Sequence, residues 1–172
     1  MATTYKIIDK SILTGTQANV EFTGLGSYSS DYTDLKLVIS VRTAASGSYD
    51  YGLITFNNNT SNYSTKLLWG DNSSANSFSW GSSAQLSTGM INNSSQTSST
   101  FSSVEIYIPN YSSSNYKSCS IDTVQENNGT AYRALAAGLW SNTSAITSIK
   151  LAGESGSWVS GSSFYLYGIK NS

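Results

Sequence analysis

Histidine is absent from these 172 residues, and cysteine and proline occur once each. Without histidine there is no Ser-His-Asp or Cys-His relay, no common zinc ligand set and no ordinary general base near neutral pH. The lone Cys119 forms no internal disulfide, and no C-x-x-C pair exists. It shares a strand face with Ile121, with no base beside it, and reads as a small buried hydrophobe. Charge is scarce too: charged residues are 11% of the chain and the formal net charge is −1. The nine basic residues are spread singly from Lys6 to Lys170. No basic stripe forms, so nucleic acid is not an expected partner. No apolar run approaches a membrane span, and the opening MATTYKIIDKSIL lacks the apolar region of a secretory signal. Synthesis in the cytoplasm and no membrane partner are the expectations. Near-zero net charge also removes self-repulsion, which suits a subunit meant to associate.

Polarity comes instead from Ser, Thr and Asn, with serine near a fifth of the chain, about three times ordinary usage. Aromatics at 12% and a near-neutral charge argue against disorder. The nine Asn-x-Ser/Thr sequons, Asn62, Asn72 and Asn142 among them, follow from Asn/Ser/Thr-rich loops and are not read as glycosylation sites.

The apolar period is two nearly everywhere. In 34–42, Leu35, Leu37, Ile39 and Val41 share one parity; in 101–108, Val104, Ile106 and Ile108 do. Segments 51–56, 64–69, 116–124, 131–140, 145–151 and 163–169 read as strands in the same way. Only 131–140 has helical propensity; its alternation and Gly138 favour strand. Between them lie Asn57-Asn58-Asn59, Gly70-Asp71-Asn72, Asn92-Asn93 and Asn127-Asn128-Gly129, which tolerate positive φ and bond their own backbone. The polar stretch 92–99 reads as a surface loop inside one domain. Ten or so short strands predict an all-β, single-domain β-sandwich, with the jelly roll the commonest version at this size. Residues 1–10 are expected as an N-terminal arm or first edge strand, and 11–172 as the sandwich domain.

Carboxylate catalysis needs no histidine, but no two of the ten acidic residues share a face of one strand. Surface groups and loop caps explain them better. Asp31 with Asp34 is too sparse for the six to eight oxygens calcium takes. Gly24-Leu25-Gly26 is followed by no helix and no lysine, unlike a phosphate loop. No enzyme activity, catalytic residue, metal site or cofactor is therefore expected.

Aromatics remain. Tyr28, Tyr32, Tyr49, Tyr51, Tyr63, Trp69, Trp80, Tyr111, Tyr116 and Trp158 lie in or beside loops. They either plug the open ends of the sandwich or stack on a ligand such as a sugar, for which Trp69, Trp80 and Trp158 are the candidates. Strand 163–169 is apolar on both faces, Phe164 and Leu166 opposite Tyr165 and Tyr167; 131–140 is similar, with Tyr132 and Trp140 opposite Leu135 and Leu139. The second face either meets another subunit or lies under a loop, and Tyr132, Trp140, Tyr165 and Tyr167 are the interface candidates.

Five stretches resemble a family of small virion proteins of tailed phages of marine and cyanobacterial hosts. They are FTGLGSYSSDYTDLKLVISVRT (22–43), LITFNNNTSNYS (53–64), VEIYIPNYSSSNYKS (104–118), TAYRALAAGLWSNTSAITSIKLA (130–152) and GSSFYLYGIK (161–170). The resemblance covers nearly the whole chain in order and spacing. It implies a jelly roll, homotrimeric, in an assembled particle. A capsid cement or decoration protein on the outside of the shell, bound to the major capsid protein, is the first expectation. A receptor- or carbohydrate-binding tip of a tail or head fibre is the second.

Overall fold

Alternation becomes burial along β3 (Asp34–Val41), where Leu35, Leu37, Ile39 and Val41 are at most 2% exposed, while Lys36, Val38 and Ser40 face outward. The same logic builds twelve strands and one short 3₁₀ turn in the computed structural model, which describes residues 4–171. The others are β1 (Tyr5–Ile12), β2 (Asn19–Phe22), β4 (Asp50–Phe56), β5 (Tyr63–Gly70), β6 (Ala75–Ser83), β7 (Leu86–Ile91), β8 (Ser102–Ile108), β9 (Lys117–Gln125), β10 (Tyr132–Trp140), β11 (Ile149–Gly153) and β12 (Ser163–Ile169). One sheet has eight strands in the order β1-β12-β3-β8-β9-β10-β5-β6, and the other has four in the order β2-β11-β4-β7. The named pairings are antiparallel throughout. This is an all-β sandwich, and its order is compatible with a jelly roll. The segment expected as an arm or edge strand is an edge strand, with residues 5–12 paired to β12; residues 1–3 lie outside the described ones.

A single apolar cluster between the sheets draws on both of them and includes Phe22, Ile54, Phe56, Ile91, Ile106, Ile121, Trp140 and Leu166. At the asparagine-rich turns Asn57, Asn58 and Asn128 take positive φ while Asn72, Asn92 and Asn93 do not, and Asn62 and Asn110 take it outside those turns. Asn57 also ties the β4 end to the stretch before β11, accepting from the Thr147 N–H at 2.7 Å and donating to the Ala145 carbonyl at 2.8 Å.

Two buried cations hold loops through main-chain carbonyls. The Arg42 guanidinium donates to Gln96, Thr97 and Thr100 carbonyls at 2.9, 2.7 and 3.0 Å, ordering the polar 92–100 loop. Lys117 Nζ donates to Ser113 and Asn115 carbonyls at 2.8 and 2.5 Å, and burial lowers its pKa. Asp34, expected with the other acids as a surface group or loop cap, is buried instead and accepts from Tyr107 Oη, the Asn110 N–H and Asn171 Nδ2. Cys119 is buried, which pushes its thiol up to about 12.

β10 corrects one expectation. Its inner face is Ala134, Ala136, Gly138 and Trp140, while Leu135 is 51% exposed on the outside. The reason is room. β7 passes close beneath, so a Cβ on Gly138 would lie 3.1 Å from a Leu86 methyl, and one on Gly89 would lie 2.9 Å from Ala134 Cβ. Small residues must line that approach, and leucines would overpack it.

Candidate binding surfaces

The outer face of the large sheet follows from register. Tyr165 and Tyr167 of β12 sit beside Val38 and Lys36 of β3, with β1 on their other side. Both tyrosines face outward and are half-buried, and Tyr5 stacks on Tyr167 with ring centroids 4.7 Å apart. Two ion pairs lie on this face, Lys36 with Glu105 and Arg133 with Asp122, each at 2.6 Å, while Lys10 beside Tyr165 and Lys66 beside Leu68 make none among the described residues. The Glu105 carboxylate raises the pKa of Lys36 through their hydrogen bond, against the lowering effect of burial. Further along, Leu135 and Leu68 are register partners, 51% and 54% exposed. With Lys66 and Ala137 they line a shallow depression of about 670 Å³.

Of the four interface candidates, Tyr165 and Tyr167 therefore share this outward face. Tyr132 and Trp140 do not. Trp140 is 1% exposed and packs on Phe56 and Tyr63 in the core, and Tyr132 turns inward at the end of the same face. They belong to the side of β10 that lies over β7, which the pairing of large with small residues in the sequence did not reveal.

The outer face of the small sheet is different in kind. Leu53 and Thr55 of β4, Lys150 and Ala152 of β11 and Glu21 of β2 line a groove of about 690 Å³. Asn58 and Thr60 of the β4–β5 loop, Gln85 of the β6–β7 link and Glu154 also line it. It continues into a narrow recess of about 80 Å³ beside Tyr51 and Trp80. There Trp80 meets Tyr51 edge-on at 5.7 Å, Tyr51 meets Tyr49 at 5.2 Å, and Tyr49 meets Tyr132 at 5.5 Å. Phe78, half exposed, packs on Trp80 at 4.6 Å. Burial raises the Glu154 carboxyl pKa, and the nearby Asp50 carboxylate adds to it. Burial also raises the Tyr51 hydroxyl, with its hydrogen bond to Tyr49 adding a smaller part.

The three tryptophan candidates part ways. Trp158 is a plug: it is 1% exposed, donates Nε1–H to the Leu151 carbonyl at 3.1 Å and packs edge-on to Phe164. That corrects its reading as a ligand-facing residue. Trp69 is half-buried on the inward side of β5 and packs on the core. Of the three, only Trp80 lines the recess that adjoins the groove. Glu21, Gln85, Lys150 and Glu154 were not singled out from sequence, because each stands alone there and only strand pairing gathers them. Among the described residues no group of three His, Cys, Asp or Glu side chains is placed to hold a metal ion. No helix among them is long and apolar enough to cross a membrane.

Comparison with family models, with curated proteins and with solved structures finds no match.

Proposed function

We propose that this chain is a non-enzymatic structural subunit of a phage virion, most simply a capsid cement or decoration protein that binds the outside of the major capsid shell as a homotrimer. The observation that carries the reading is the outer face of the large sheet. There Tyr165, Tyr167, Tyr5, Leu68 and Leu135 stand uncovered or half-covered on a broad surface on which Lys36 pairs with Glu105 and Arg133 with Asp122. Such a surface suits a wide protein contact. The sequence resemblance supplies the particle. Three linked weak contacts would hold a trimer on the shell through effective concentration.

A fibre tip that binds a receptor or carbohydrate is the second reading, favoured by the Tyr49, Tyr51, Trp80 and Phe78 group beside an open groove. Quantitative mass spectrometry of purified virions, measuring copies of this chain per copy of the major capsid protein, separates the two. Hundreds of copies support cement, a handful supports a fibre or vertex, and absence from the particle overturns both.

A further inference from the structure

We infer that the groove across the outer face of the small sheet is a saccharide-binding site, selective for neutral over acidic sugars. The inference does not depend on where in a particle the chain sits.

The first ground is unused bonding capacity. Several acidic and amide side chains elsewhere in this molecule are tied down: Asp34, Asp50, Asn57 and Asp71 each accept two or more hydrogen bonds from the protein. In the groove only Asn58 and Glu21 bond each other, at 3.0 Å. The side chains of Thr55, Thr60, Gln85, Lys150 and Glu154 line it without a hydrogen bond or ion pair among the described residues. Lys150 lies opposite Glu21 in the β11–β2 register, yet the two make no ion pair. These groups are free to serve a ligand.

The second ground is the kind of groups present. A sugar hydroxyl donates and accepts at once, and a sugar ring carries apolar C–H faces. The groove offers carboxylate acceptors (Glu21, Glu154), an ammonium donor (Lys150), an amide that does both (Gln85) and hydroxyls (Thr55, Thr60). Leu53 and Ala152 give it an apolar floor, and the Tyr51–Trp80 pair forms an aromatic wall where it narrows. Its volume of about 690 Å³ lies within the range of small-ligand sites. Two carboxylates against one ammonium leave the lining net negative, which opposes phosphates, nucleic acid and uronic or sialic acids. The floor is three hydrogen-bonded strands, which hold the groups in place more firmly than loops do.

The test is a glycan array of neutral, amino and acidic sugars probed with the labelled full chain, followed by titration calorimetry with the best binder. The expected result is binding of neutral glycans, weakened about tenfold or more by Glu154→Gln, Gln85→Ala and Trp80→Ala. Tyr116→Ser, in the exposed β8–β9 loop away from the groove lining, should leave it unchanged. Glu154 and Gln85 are surface residues whose side chains make no protein bond, so their variants stay informative even where Trp80→Ala perturbs folding. The inference is overturned if no neutral glycan binds at about millimolar concentration. It also fails if acidic glycans alone bind, or if a peptide displaces the glycan with higher affinity. Binding that survives all three groove variants would place the sugar elsewhere and overturn it as well. None of these outcomes alters the copy number in virions, so the inference and the structural-subunit reading fail separately.

Discussion

The two outer faces of this sandwich are built from the same alternating strands and have opposite characters. On the large sheet, two charge pairs cross neighbouring strands, Lys36 with Glu105 and Arg133 with Asp122, and the face also carries Tyr165, Tyr167, Leu68 and Leu135. On the small sheet, Glu21, Lys150 and Glu154 make no ion pair and surround a groove. A broad face of exposed tyrosine and leucine with cross-strand ion pairs has little to offer a small polar ligand and much to offer a second protein surface. A face with unsettled polar groups in a concavity is the reverse. The contrast teaches that assembly and ligand binding, where one chain does both, can be separated by placing them on opposite sides of one core.

The comparison requires that neither face carries the stability, which the core between them should hold. Trp140→Ala should therefore have the largest effect, a loss of about 3–5 kcal/mol, read as a lower urea midpoint at unchanged slope. A loss below about 1 kcal/mol would show that the wedge of Trp140, Phe56 and Tyr63 does not anchor the sheets. On the large-sheet face, replacing Tyr165 and Tyr167 together by serine should convert a trimer to a monomer in light scattering. Its cost in monomer stability should be about 1 kcal/mol per site or less. Unchanged mass would remove these tyrosines from the interface, and a monomeric parent chain would remove the trimer.

The smallest effect is expected at Glu154, and it sharpens the contrast through pH. Its carboxyl pKa is raised from 4.5 in the fold, so between 4.5 and the raised value the native state holds more protons than the unfolded one. Stability from this group therefore falls as pH rises through that window. Glu154→Gln should flatten the slope there while leaving acid stability unchanged. A variant with the parent slope would mean that Glu154 is as well solvated in the fold as in the open chain.

Eight strands were legible because one face of each is buried and the period of two shows through. The misses have physical causes. β7 is buried at all six positions, so its text does not alternate, and Gly89 breaks it with a φ of +90°. β6, written ANSFSWGSS, is mostly exposed and is held in the sheet by its ladder to β5. β2 is only four residues long. The strand expected over 145–151 begins at Ile149, because Asn57 holds Thr147 and Ser148 in a loop.

The candidate sites were less legible than the fold. Tyr165 and Tyr167 stood out because a strand apolar on both faces is visible in the text. The groove did not, since Glu21, Lys150 and Glu154 are isolated charges far apart in the chain that β2–β11 pairing brings to one surface.

From the sequence alone came the all-β class, the turn positions and the inward parity of most strands, because these depend on alternation and on local backbone preferences. Packing alone decided which side of β10 faces inward, since the space left by β7 admits alanine and glycine and not leucine. Register alone decided which polar residues meet, since hydrogen bonding between strands joins residues more than a hundred positions apart, such as Glu21 and Lys150, which no local pattern relates.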